Sequence, residues 1–79
     1  MPYQNREKFN QWRINILAAI DYLNSLTKSD LTGENVFALE YRGRNHKIVL
    51  THDGNVVARG IIAIERNIGF LIAYYKGER

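Results

Sequence analysis

Between Asn5 and Lys28 the apolar positions fall at Phe9, Trp12, Ile16, Ala19, Ile20, Leu23 and Leu26. Steps of three and four residues gather them into one stripe of a 3.6-residue helix. Asn5 suits the N-cap, because its side chain can accept from an otherwise unpaired amide of the first turn. Glu7 follows in that turn, where the helix dipole favours a carboxylate, although Arg6 and Lys8 oppose it. Lys28 closes the other end, and Ser29, Asp30, Thr32 and Gly33 follow as loop formers. The back of this helix is not uniformly polar, since Ile14, Ala18 and Tyr22 lie at i, i+4 and i+8. Single surface apolars are common. The sharper reading is a second, weaker contact surface around the small Ala18.

From Val36 the period changes to two. Four strands are expected, at about 35–42, 46–51, 55–64 and 68–75. They form an antiparallel meander of order 1-2-3-4, with the N-terminal helix on one face, and the whole of residues 1–79 is one α+β domain. A two-residue turn at Gly43-Arg44 pairs Leu39 with Ile48, Phe37 with Leu50 and Glu40 with Lys47. At Asp53-Gly54 a two-residue turn would bring Arg59 beside Ile48 on the core face. A three-residue loop from His52 to Gly54 avoids that and pairs Leu50 with Val56 and Ile48 with Ala58. Glu65-Arg66-Asn67 forms the last turn. Trp12 is then expected over a hollow left by Gly60.

This register gives one apolar face for the helix to cover. It also leaves an outer face that is less polar than a solvated one should be. Val49, Val57, Ile61, Leu71, Ala73 and Tyr75 lie there. One helix cannot cover both sides of a sheet, so a second copy or another protein is expected on this side. High β-propensity of branched residues is the plainer explanation.

A chain of 79 residues buries only about 60–65% of its unfolded surface. That adds weight to an oligomer. There is no cysteine, which excludes a disulfide staple and thiolate metal sites and fits a reducing, cytoplasmic setting. The first residues lack the apolar run of a signal peptide, and no apolar segment approaches membrane-spanning length. The net charge is +3, unevenly placed: residues 29–41 carry −3, while residues 42–79 carry +4. A modest excess of this kind permits nucleic-acid binding without requiring it.

Candidate chemistry is sparse. His46 and His52 sit at the two ends of one expected strand, about 20 Å apart, too far to share a metal. Ser25 and Ser29 have no base near them in sequence, and no glycine pattern resembles a phosphate loop. Neither a catalytic group, a metal nor a cofactor is expected. One constellation stands above background: a hairpin tip with Arg42, Arg44 and Lys47 beside Tyr41, and Arg59 across the outer face. Arginine forks near an aromatic ring suit phosphate contact, although basic residues also keep sheet edges soluble.

Two functions follow. The first is a small non-enzymatic nucleic-acid-binding or nucleoprotein-associated regulator, dimeric, acting through the basic hairpin. The alternative is a protein-binding inhibitor or adaptor that uses the apolar outer face of the sheet. An enzyme accessory subunit is a weaker third.

Overall fold

A computed structural model describes residues 6–44 and 47–77. The elements run α1 (Arg6–Thr27), α2 (Ser29–Thr32), β1 (Phe37–Arg42), β2 (Lys47–His52), β3 (Asn55–Arg59) and α3 (Ile61–Lys76). The three strands form one antiparallel sheet of order β1-β2-β3. Helices α1 and α3 pack on each other and together cover one side of it.

The expected fourth strand does not exist, and the third ends early. Residues 61–76 are a single helix, not the end of one strand, a turn and another strand. The β-branched and aromatic residues there suit a strand, yet the run also carries a helical stripe. Ile61, Ile64, Ile68, Leu71, Ile72 and Tyr75 recur at three- and four-residue steps, and all are buried or packed on the core. Gly60 ends β3 with φ 87 and ψ 157, a conformation that L side chains avoid. Gly77 stops the helix in the left-handed conformation, its N–H donating to the carbonyls of Ala73 and Tyr74. Thus no hollow forms at Gly60 for Trp12 to fill. Trp12 lies in the core between the helices and donates its indole N–H to the Glu65 carboxylate.

The register also differs. Arg42 pairs with Lys47, Leu39 with Leu50 and Phe37 with His52. The connection is therefore residues 43–46, not a two-residue turn, and Glu40 stands opposite Val49 instead of Lys47. A slip of two residues leaves the side chains of β1 and β2 on their expected faces. At the second hairpin Asp53 (φ 52) and Gly54 (φ 85) form a two-residue turn of the type that needs positive φ at both positions. A bulge follows. Leu50 pairs with Ala58 and Thr51 with Val56, which leaves Val57 unpaired. The extra residue places Arg59 opposite Val49 and away from the helices. The three-residue loop, chosen to keep Arg59 out of the core, is therefore unnecessary.

The core is Trp12, Ile16, Ile20 and Leu23 from α1, Phe37, Leu50 and Ala58 from the sheet, and Ile64 and Ile68 from α3. Helix α1 ends at Thr27, and Lys28 turns left-handed (φ 60) before the single turn of α2. Asn24 ties this end to the sheet. Its side-chain amide donates to the Phe37 carbonyl at 2.9 Å and accepts from the Phe37 N–H at 2.8 Å. It thereby stands in for a neighbouring strand at the open edge of β1. Ser29 donates to the Asn24 carbonyl, and Thr27 bridges it to the Asn35 carbonyl. Asn5 and His46, for which a cap and a strand-edge position were expected, lie outside the described residues.

Candidate binding surfaces

The side of the sheet away from the helices carries Glu40, Arg42, Lys47 and Arg59 on adjacent strands. Three of the expected phosphate-contacting residues thus do share a face. Arg42, however, does not reach out from the hairpin. Its Nε donates to Glu40 at 3.1 Å and its Nη2 donates to the Gly54 carbonyl at 3.0 Å. Glu40 also accepts from the Thr51 hydroxyl at 2.9 Å. The Thr51 hydrogen bond first, and then Arg42, hold the Glu40 carboxyl below its ordinary pKa.

Tyr41 alternates with Arg42 along β1 and pairs with Ile48. Its ring is therefore on the opposite side of the strand from the cations. Arg44 is exposed in the connection. A shallow hollow of about 520 Å³ opens on the sheet's outer side, bordered by Glu34, Glu40, Thr51, Asp53 and Gly54, the last of which Arg42 contacts. Its carboxylates repel the same phosphates that the cations would attract.

The expected apolar interface comes apart. Val49 is buried in the central strand, its pairing partners being the long side chains of Glu40 and Arg59. Val57 is the exposed bulge residue. Ile61, Leu71, Ala73 and Tyr75 belong to α3. Ile61, Leu71 and Tyr75 pack against the core, Tyr75 with its ring edge-on to Phe37 at 6.5 Å.

An apolar surface exists, but on the other layer. On α3, Ile62, Phe70 and Tyr74 are 72%, 69% and 72% exposed. At 100° per residue they lie opposite the buried Ile64 and Ile68. Arg66 and Gly69 are exposed among them. An added Cβ at Gly69 would meet nothing within 4 Å. Glycine in a helix interior is about 0.8–1.0 kcal/mol less favourable than alanine, and among the described residues no packing requires it here. On α1, Ile14 is 57% exposed, and Leu17, Ala18 and Tyr22 are also outside the core. The line through Ile14, Ala18 and Tyr22 is thus the one part of this surface visible in the sequence. Ile62, Arg66, Gly69, Phe70 and Tyr74 were missed. A helical reading of residues 61–76 would have placed all five on one side.

Among the described residues no three His, Cys, Asp or Glu side chains converge on a point that could hold a metal. His52 stacks on Phe37, with centroids 4.3 Å apart, and its Nε2 is 3.2 Å from Asn35 Oδ1 and 3.8 Å from Asp53. It joins the sheet end to the loop before β1. Among the described residues no helix is long and apolar enough to cross a membrane. No protein-family model, curated protein or solved structure matches the chain.

Proposed function

We propose that this chain is a non-enzymatic protein-binding module that docks through the outward side of its helical layer. The observation that carries this reading is the exposure of Ile62, Phe70 and Tyr74 on one side of α3. A surface helix normally turns polar residues outward, and a helix apolar nearly all round is normally buried. Exposed apolar patches mark contact sites, and aromatic residues are the usual anchors of protein interfaces.

A nucleic-acid-binding regulator is the second reading. Its support is the grouping of Lys47 and Arg59 on one face with Arg44 exposed nearby. Two features weaken it: Arg42 is engaged by Glu40 and Gly54, and Tyr41 lies on the opposite side of β1.

The test is photo-crosslinking in cells from an unnatural benzophenone residue at position 70 or at position 47. Nuclease-resistant protein adducts from position 70, and none from position 47, are the expected result. Nuclease-sensitive adducts from position 47 alone would reverse the order of the two readings.

A further inference from the structure

The helical layer suits one occupant in particular. We infer that this occupant is a second copy of the same chain, with α3 packed antiparallel on α3 of its partner about a two-fold axis. This rests on the reading of that layer as a contact surface and adds what sits on it.

The seam of the outward side runs through Ile62, Arg66, Gly69 and Ala73, in steps of four, three and four residues. This is the spacing by which one helix meets another along a line. Its bulk is unevenly distributed, with large residues in the N-terminal half and a glycine and an alanine in the C-terminal half. An antiparallel copy answers this unevenness twice. Ile62 enters the space over the partner's Ala73, beside the ring of the partner's Tyr74. Arg66 enters the open space over the partner's Gly69, where its guanidinium can lie on the ring of the partner's Phe70. A parallel copy would set large residue against large and small against small.

Between Ile62 and Ala73 Arg66 is the one charge on this seam, which Lys76 continues in the last turn of α3, and among the described residues Arg66 has no ion-pair partner within its own chain. Stacking on an aromatic ring suits an arginine better than a lysine. The same axis brings the outward sides of the two α1 helices together, including Ile14.

The chain has no cysteine, so single cysteines report proximity without background. Ile62→Cys and Ala73→Cys proteins, mixed and treated with a short bis-maleimide, should give the mixed dimer in preference to either self-linked one. Sedimentation velocity should show a concentration-dependent dimer. Phe70→Lys should weaken that dimer by roughly tenfold or more, with the monomer's circular dichroism unchanged. Gly69→Leu fills the space the partner needs without opposing the helix, so it should abolish the dimer and leave the melting transition in place.

A monomer up to high micromolar concentration would overturn the second copy. Protein adducts from position 70 in cells would then still sustain the broader reading. Preferential self-linking of Ile62→Cys would overturn the antiparallel arrangement, and a dimer indifferent to both Phe70→Lys and Gly69→Leu would place the interface elsewhere.

Discussion

Glu40, on the outer side of the sheet, accepts from Thr51 and Arg42, and Arg42 donates onward to the Gly54 carbonyl. Ile62 and Phe70, on the outer side of α3, are about seven-tenths exposed. The two sides of the molecule stand differently towards water. On the sheet side, polar groups answer one another and the one large apolar residue of the central strand, Val49, is already buried. A partner docking there would have to break existing hydrogen bonds, each of which must be replaced to avoid a desolvation cost. On the helical side a partner removes apolar area with little to break. Full burial of one Ile or Phe side chain is worth about 1.5–3 kcal/mol. Charge alone therefore does not pick out the contact surface. What matters is which side still gains on being covered.

The largest test of this contrast lies within α3. Ile64 is fully buried and Ile62 is on the far side of the same helix. Ile64→Ala should cost about 2–5 kcal/mol of folding stability, as buried large-to-small substitutions do. Ile62→Ala should change the stability of the isolated monomer by less than about 0.5 kcal/mol. Urea denaturation at submicromolar concentration compares the two directly. Equal costs would mean that α3 does not have one inner and one outer side.

An intermediate effect is expected where the helical layer is tied to the sheet. Asn24→Leu removes both hydrogen bonds to the Phe37 backbone. It leaves a partly buried N–H and C=O without partners, at a cost of about 1–3 kcal/mol. Hydrogen exchange at the Phe37 amide should accelerate as β1 loosens. An unchanged exchange rate would show that another group holds this edge.

These particulars explain what could be foreseen from the residues. The helix over residues 6–27 was legible because its stripe is clean and long. The faces of β1 and β2 were legible because their alternation survives a two-residue slip, whereas Val56, expected on the inner face beside Leu50, pairs with Thr51 on the outer one. The actual register of β1 on β2 was not, because a four-residue connection and a two-residue turn give the same alternation. The bulge at Val57 was hidden for a related reason. It reconciles the favoured Asp53-Gly54 turn with an outward Arg59, and no local residue announces it. Residues 61–76 misled most. Ile, Phe and Tyr are good strand residues, and Glu65-Arg66-Asn67 resembles a turn. Inside a helix those three are simply one polar turn, in which Glu65 meets Trp12 and the Asn67 side chain donates to the Ala63 carbonyl. A strand reading of these residues puts Ile62, Phe70 and Tyr74 on the covered face of a sheet, whereas the helix exposes all three.

A smaller effect, opposite in sign for folding and association, is expected at Gly69. The position is helical, and nothing lies within 4 Å of an added Cβ. Gly69→Ala should therefore stabilise the monomer by up to about 1 kcal/mol. The same methyl group occupies space at the seam, so self-association should weaken. Paired melting and sedimentation measurements check the two signs. Stabilisation together with tighter association would show that the glycine does not serve close approach.

The smallest effect belongs to the sheet side and is a pH dependence. Glu40 is held below its ordinary value of 4.5 by the Thr51 hydroxyl, then by Arg42. A carboxyl whose pKa is lower folded than unfolded binds its proton more readily in the unfolded chain. Its contribution to stability is therefore fully present above the unfolded value and is lost as pH falls through the folded one. The sign makes the comparison with Glu40→Gln specific. The wild type should hold a small stability advantage near neutrality, and that advantage should shrink as pH falls below about 4.5. Because the side chain is 37% exposed, solvent and salt screen the Arg42 attraction, so added salt should reduce the advantage further. Association through α3 should not follow this titration, since Glu40 faces away from the helices. An advantage for the wild type that persists unchanged into strong acid would show that the carboxylate is not its source. Self-association that tracked the Glu40 titration would mean that the two sides of the molecule do not act separately.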